Sequence, residues 1–143
     1  FEEEELDASA SGTACAVSVT RDTAAAVKQY LQENGPKVRR LLLARPSCGP
    51  TAQAVSSGAH ANALAEKLAE KLKQDRDSGP AARRERIHLF ISAPNAFTFY
   101  LGRQVAMMKP LTLYEYDFTY QVDGSYRTSL SYPEVAPAAV VIN

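Results

Sequence analysis

The chain has 143 residues, of which 45% are hydrophobic and 22% charged, and these values exclude a disordered or fibrous protein. Its 16 basic residues balance 16 acidic ones, so no overall positive field favours binding to duplex DNA. The length fits one ordinary domain with its own core and is too short for a binding domain and a separate enzyme domain together.

The chain begins with a phenylalanine and four glutamates, the opposite of the basic start of a signal peptide. It also lacks a run of about 20 apolar residues that would span a bilayer. These features predict a cytoplasmic protein that makes no membrane contact. We expect residues 1–12 to be a solvated acidic segment or a truncated linker, and residues 13–143 to form the domain.

Strands and helices alternate in the first half of the domain. Small and β-branched residues from Thr13 to Thr20 predict a buried strand, followed by a short amphipathic helix that ends at Asn34-Gly35-Pro36. The apolar run within Val38 to Ala44 predicts a second strand that is covered on both faces. Apolar residues at helical spacing from Ala61 to Leu72 then predict a longer helix.

The second half continues this alternation and ends differently. Ile87 to Ile91 is a predicted strand, the next helix carries apolar residues from Phe97 to Val105, and Leu111 to Tyr116 is a fourth predicted strand. Asp123-Gly124 between two aromatic-rich stretches predicts a β-hairpin, and the apolar run 139–142 is either an edge strand or poorly ordered. We therefore predict an α/β domain with a mostly parallel sheet, flanking helices and a C-terminal hairpin.

Loops at the carboxyl ends of the predicted strands are the candidate site, because helix N-termini there present free backbone N–H groups. The loops are Ser18 to Asp22, Arg45 to Thr51, and Ser92 to Phe97. Their hydroxyl and guanidinium groups suit a phosphate-bearing ligand. The hydroxyls belong to Ser18, Thr20, Ser47, Thr51 and Ser92, and the guanidinium groups to Arg21 and Arg45.

The third loop adds two groups suited to a nucleobase. The Asn95 amide can read a base edge, and the Phe97 ring can stack on a base. The same loops also allow a purely structural interpretation. Ser92 or Asn95 would then cap the third helix, Asp22 would cap the first, and Phe97 would belong to the core. The sequence leaves both interpretations open.

Motifs of other nucleotide-binding and catalytic proteins are missing. Neither G-x-G-x-x-G after the first strand nor G-x-x-x-x-G-K-[ST] occurs, which argues against a dinucleotide-cofactor enzyme and a P-loop NTPase. The spacing of Cys48, His60 and Asp117 does not predict a nucleophile with its base. His88, in an apolar strand, is expected to be a hydrogen-bonded structural histidine. We predict no catalytic residue, metal or resident cofactor, and free thiols at Cys15 and Cys48.

A series of short motifs resembles a known family. The motifs are Ile87-His88-Leu89-Phe90, Ala93-Pro94-Asn95-Ala96-Phe97, Leu101-Gly102 and Leu113-Tyr114-Glu115-Tyr116-Asp117-Phe118. The segments Ser18–Asp22, Ala59–Ala65 and Gly124–Leu130 agree with them, so the resemblance covers nearly all of residues 10 to 135. Together they are similar to SAVED domains, and to the C-terminal half of such a domain.

The resemblance implies a CARF-like, Rossmann-like fold that forms one of two fused halves. In that family a cyclic di- or oligonucleotide, made by a CBASS anti-phage synthase or a CRISPR complex, binds between or across the halves. Binding drives an assembly that activates a fused or associated effector, such as a nuclease. The resemblance also implies ligand contacts by Thr20, Arg21 and the loop that contains Pro94, Asn95 and Phe97.

These considerations leave three functional hypotheses. The favoured one is a non-enzymatic bacterial sensing module for a cyclic di- or trinucleotide, with a second lobe and an effector as partners and a homo-oligomer formed on ligand binding. A small α/β phosphoesterase or ring nuclease that opens such a ligand is the first alternative. The second alternative is a half-domain that serves only for oligomerisation.

Overall fold

The computed structural model describes residues 1–77, 85–117 and 126–134, in which six strands form one mixed sheet in the order β1-β3-β2-β4-β5-β6. The strands are β1 (Glu2–Glu5), β2 (Thr13–Ser18), β3 (Arg40–Ala44), β4 (Ile87–Ser92), β5 (Leu111–Tyr116) and β6 (Tyr126–Tyr132). The helices are α1 (Ala24–Glu33), α2 (Gly58–Arg76), α3 (Asn95–Gly102) and α4 (Val105–Met108). Within the described ranges, no helix combines the length and apolar character needed to cross a membrane.

The centre of the sheet is parallel and its two edges are antiparallel. Strand β2 pairs in parallel with β3 and β4, and β4 pairs in parallel with β5. Strand β1 is antiparallel to β3, and β6 is antiparallel to β5, so β5 and β6 form the predicted C-terminal hairpin pair. The predicted turn at Asp123-Gly124 and the apolar run 139–142 lie outside the described residues. The predicted α/β class with a mostly parallel sheet is confirmed.

Two hydrophobic layers cover the sheet, one on each face. On one face α2, α3 and α4 pack on apolar side chains such as Cys15, Leu42 and Leu89. On the other face α1 packs on the alternate residues of the same strands, including Leu41 and Phe90. Because β2 lies at the centre and is covered on both sides, all six of its residues are buried, which explains its small apolar sequence.

The acidic start of the chain differs from the expected solvated segment. Residues Glu2–Glu5 form edge strand β1, and Glu2 and Glu5 lie opposite Leu43 and Arg40 of β3. The side chains are exposed as expected, but the backbone belongs to the sheet. Four consecutive glutamates carry no alternating apolar pattern, and the pairing partner lies far along the chain, so sequence periodicity gave no signal for this strand.

The helix predicted to extend from Phe97 to Val105 is divided into two. Helix α3 ends at Gly102, and Val105 belongs to the short helix α4. The N–H groups of Arg103 and Gln104 donate to the carbonyls three residues earlier, which tightens and ends the helix. Apolar residues continue across this break at helical spacing, which is why the sequence predicts a single helix.

A buried guanidinium joins three elements at the amino ends of the strands. Arg76, the last residue of α2, is 7% exposed. It donates hydrogen bonds to the carbonyls of Glu85 (3.2 Å), Pro110 (3.0 Å) and Lys109. These carbonyls precede β4 and β5, so Arg76 fixes the end of the long helix to the start of both strands.

Candidate functional site

Hydrogen bonds join the loops that follow β2 and β4. Ser18 and Ser92 are partners in the β2–β4 register. The Ser92 carbonyl then accepts from the N–H groups of Val19 (2.9 Å) and Thr20 (3.0 Å), and the Thr20 Oγ1 to Ser92 Oγ distance is 2.9 Å. The hydroxyls of Thr20 and Ser92, both predicted site residues, therefore lie together at the carboxyl edge of the sheet.

Ser18 organises the turn from β2 into α1. Its side chain is buried, with Oγ 2.9 Å from Thr23 Oγ1, and it accepts a hydrogen bond of 2.9 Å from the Thr23 N–H. The Asp22 carboxylate accepts from the Ala24 N–H at 3.0 Å and so pairs the first N–H of α1, although the N-cap residue itself is Thr23. Ser18 and Asp22 thus shape the loop, while Arg21 is exposed at its surface.

The loop after β3 is attached to the same edge. The Thr51 N–H donates to the Val19 carbonyl at 3.1 Å. The segment that leads into α2 therefore lies beside the loop after β2. Ser57 caps α2 by accepting from the His60 N–H at 3.1 Å, and His60 Nδ1 accepts from the Ser56 N–H at 3.1 Å. The Ser57 side chain and the His60 ring therefore both stabilise the turn that begins α2.

Arg45 is held by carboxylates at this edge. Its guanidinium lies 3.8 Å from a Glu2 oxygen and 3.4 Å from an Asp22 oxygen. All three side chains are partly exposed, so an incoming anion can reach the guanidinium only in competition with these carboxylates. Ser47, two residues further along, is exposed in the loop that contains it.

The predicted site residues in the loop after β4 differ in their exposure to solvent. Pro94 has an extended backbone, and its carbonyl accepts from the N–H of Phe97 at 3.0 Å, while Asn95 is exposed at the first residue of α3. The Phe97 ring is 2% exposed and packs in the core beneath α2 and α3. The stacking role predicted for Phe97 is therefore replaced by the core role, because no face of the ring is open to a base.

The electrostatic character of the edge comes from backbone groups and arginines. Helices α1, α2 and α3 all begin there, and the N-terminus of each adds partial positive charge. Arg21 and Arg45 add full positive charges. Sequence analysis had omitted Thr23, whose side chain fixes the β2 loop through Ser18. A threonine just before a helical pattern was the available signal.

His88 lies away from this edge and has a structural role, as predicted. Its Nδ1 lies 2.9 Å from the Tyr114 hydroxyl within the sheet. Burial, with a smaller contribution from the nearby Arg86 charge, lowers the pKa of His88 to about 4, so the ring is neutral at pH 7. Cys15 is buried and Cys48 exposed, both as free thiols. Over the described part of the chain, no three His, Cys, Asp or Glu side chains cluster as metal ligands would.

Comparison with known proteins identifies the family of this fold and site. The profile of the SAVED family, described as the SMODS-associated and fused to various effectors sensor domain, matches residues 1–131. The chain belongs to the SAVED family. The resemblance that the motifs predicted is thereby confirmed, and the fold described above is that of a SAVED sensor domain.

A curated relative supports the same assignment. The SAVED domain is similar to CD-NTase-associated protein 4 of Enterobacter hormaechei subsp. hoffmannii (strain UCI 50), with 35% identity over 127 residues. The similarity covers 89% of this chain and 25% of the relative. The chain therefore spans about a quarter of the relative's length.

Proposed function

We propose that this SAVED domain senses a cyclic di- or oligonucleotide and thereby regulates an effector in bacterial anti-phage defence. The main support is that hydrogen bonds bring together the loops that follow β2, β3 and β4. These bonds are Thr20–Ser92 and Thr51–Val19. Membership of a sensor family and a relative named for its association with a CD-NTase support the same function.

The chemistry of the edge suits a cyclic nucleotide. Phosphates require hydrogen-bond donors and positive charge, and the N-termini of three helices with Arg21 and Arg45 supply both. A base requires a polar group that can read its edge, and the exposed Asn95 amide provides one. Because Ser18 and Phe97 are buried, we propose that they position the loops. The proposed ligand contacts are the remaining predicted residues: Thr20, Arg21, Arg45, Ser47, Ser92, Pro94 and Asn95.

The regulated effector is proposed to lie in another segment of the intact protein. The relative is about four times as long as its matched region, which leaves room for further domains. We propose that ligand binding at the strand ends is passed to that effector through assembly, and that the SAVED domain itself does not cleave its ligand.

A binding and product assay tests this function. The protein is titrated with a panel of cyclic di- and trinucleotides, and the recovered nucleotide is then analysed for linear products. Binding with unchanged ligand supports a sensor, whereas linear products would instead establish a ring nuclease. Failure of every cyclic nucleotide to bind would leave oligomerisation as the remaining function.

Arg21→Ala tests the proposed phosphate contact. The exposed guanidinium is expected to make a charge-assisted hydrogen bond, so its loss should weaken binding by about 1.5–3 kcal/mol without unfolding the domain. Arg103→Ala is the matched control, because Arg103 is an exposed arginine beyond the opposite end of α3. Calorimetric titration of both variants measures the difference, and equal affinities would remove Arg21 from the site.

A further inference from the structure

Strand β1 is attached to the sheet without hydrophobic burial. Its four residues, Glu2–Glu5, are all exposed and all acidic. It pairs antiparallel with β3, so backbone hydrogen bonds hold it at the sheet edge. Adjacent carboxylates repel one another, so neighbouring cations that offset this repulsion stabilise β1 in its place.

The glutamates of β1 alternate between the two helical layers, and each layer supplies a cation. Glu4 forms an ion pair of 2.8 Å with Lys28 of α1. Glu3 forms an ion pair of 2.9 Å with Lys71 of α2 and lies 3.6 Å from Arg40. The hydrogen bond from Lys71 holds the pKa of Glu3 below its ordinary value. The strand is thus held from both faces by charge.

A further cation beside β1, Arg45, belongs to the candidate ligand site. Glu2 lies 3.8 Å from Arg45, which also faces Asp22 at 3.4 Å. An anionic ligand that binds Arg45 competes with these carboxylates, because it repels them as a like charge and neutralises the guanidinium that attracts them. Docking of β1 and occupation of the site by an anion therefore depend on the same side chain.

We propose that β1 is a releasable edge strand, held by ion pairs and detached when those pairs are screened or when an anionic ligand takes Arg45. Exposed ion pairs are weak, and salt shortens their range from about 10 Å at 0.1 M to about 3 Å at 1 M ionic strength. A segment without apolar contacts opens locally while the rest of the domain stays folded. The competition at Arg45 rests on the proposed function, whereas release by salt does not.

Hydrogen exchange measured in the intact protein tests the release. Those amides of Glu2–Glu5 that face β3 report on β1, and those of Thr13–Ser18 in β2 are the internal reference. Raising sodium chloride from about 0.1 M to about 1 M should lower the protection of β1 by about tenfold and leave β2 unchanged. Equal protection of β1 at both salt concentrations would overturn the proposal.

Two variants of β1 separate ion pairing from simple loss of charge. Glu3→Gln removes the partner of Lys71 and Arg40 and should reproduce the effect of high salt at low salt. Glu5→Gln makes the same charge change in the same strand, but Glu5 forms no ion pair with the described residues and should have a much smaller effect. Indistinguishable exchange in the two variants would show that specific pairing does not hold β1.

Inorganic pyrophosphate at constant ionic strength tests the competition. It should increase exchange in β1, and Arg45→Gln should abolish this increase while leaving the response to sodium chloride. An unchanged β1 with pyrophosphate would refute the coupling to the site. If salt releases β1 but no cyclic nucleotide binds, the proposed function fails and the releasable strand remains established.

Discussion

His88 shows how one residue places a titratable group in the core without making it a functional site. Its ring faces the Tyr114 hydroxyl, and Phe90 and Tyr114 stack beside it with centroids 4.4 Å apart. Burial is the main cause of its lowered pKa, since the charged ring would lose its hydration. The neutral ring accepts or donates one hydrogen bond and otherwise packs as an apolar group.

The lowered pKa of His88 predicts a pH-dependent stability. Its pKa falls from 6.5 in the unfolded chain to about 4 in the folded domain, so between these values the unfolded chain binds the extra proton. The stability that His88 contributes is complete above pH 6.5 and is lost as the pH falls towards 4, by up to about 3 kcal/mol. The free energy of unfolding, measured by urea denaturation at each pH, should therefore fall less steeply with decreasing pH in His88→Gln than in the wild type.

Tyr114→Phe is the control for the pH dependence of the free energy of unfolding. It removes the hydroxyl beside His88 but leaves the histidine buried, and burial is the larger cause of the shift. The variant should lose some stability at every pH and keep most of the wild-type slope. If the pH dependence of stability disappeared in Tyr114→Phe and persisted in His88→Gln, His88 would not be its cause.

At the level of elements, apolar pattern decided what the sequence could predict. Strands β2, β3, β4 and β5 were predicted because each is a short apolar run bounded by turn residues. Strand β1 was not predicted, because charge pairs with distant residues hold it in place. The division between α3 and α4 was not predicted either, since it depends on two tightened hydrogen bonds and not on composition.

For the candidate site, the sequence predicted the location and only part of the residue roles. The rule that ligands bind at strand carboxyl ends selected three loops, and hydrogen bonds do bring these loops together. Whether a side chain points inward is a tertiary property. Ser18 and Phe97 are therefore buried although their residue types and loop positions resemble those of the exposed Arg21 and Asn95.

The hydrogen bonds from Arg76 that join α2 to the starts of β4 and β5 also lead to a prediction. Arg76→Met removes a buried guanidinium and leaves three carbonyls without this donor, so it should destabilise the domain by about 3 kcal/mol. Lys73→Met, an exposed substitution in the same helical turn, should change stability by less than about 0.5 kcal/mol. Urea denaturation of both variants measures the difference, and equal stabilities would show that the Arg76 hydrogen bonds do not contribute to the stability of the domain.

At the level of the whole molecule, the candidate site is an open edge. It is built from loops at one rim of a single sheet, and its arginines are at the surface. A ligand of two or three nucleotides presents more phosphates and bases than such a rim can surround. Sites that bind small ligands well bury most of the ligand surface, which one exposed rim does not achieve.

The final prediction is that ligand binding and assembly are coupled. An ion pair that stays exposed contributes only about 0–1 kcal/mol, and a contact such as that of Arg21 reaches its full strength only when the ligand is enclosed, so the rim alone should bind a cyclic nucleotide weakly. Positive groups that converge from a second lobe would bury the ligand on both sides, and by mass action the ligand should then raise the assembled fraction. Analytical ultracentrifugation of this chain and of a longer polypeptide, each with and without cyclic nucleotide, measures that fraction. Tight binding by a chain that stays strictly monomeric would refute the coupling, because all contacts would then come from one rim.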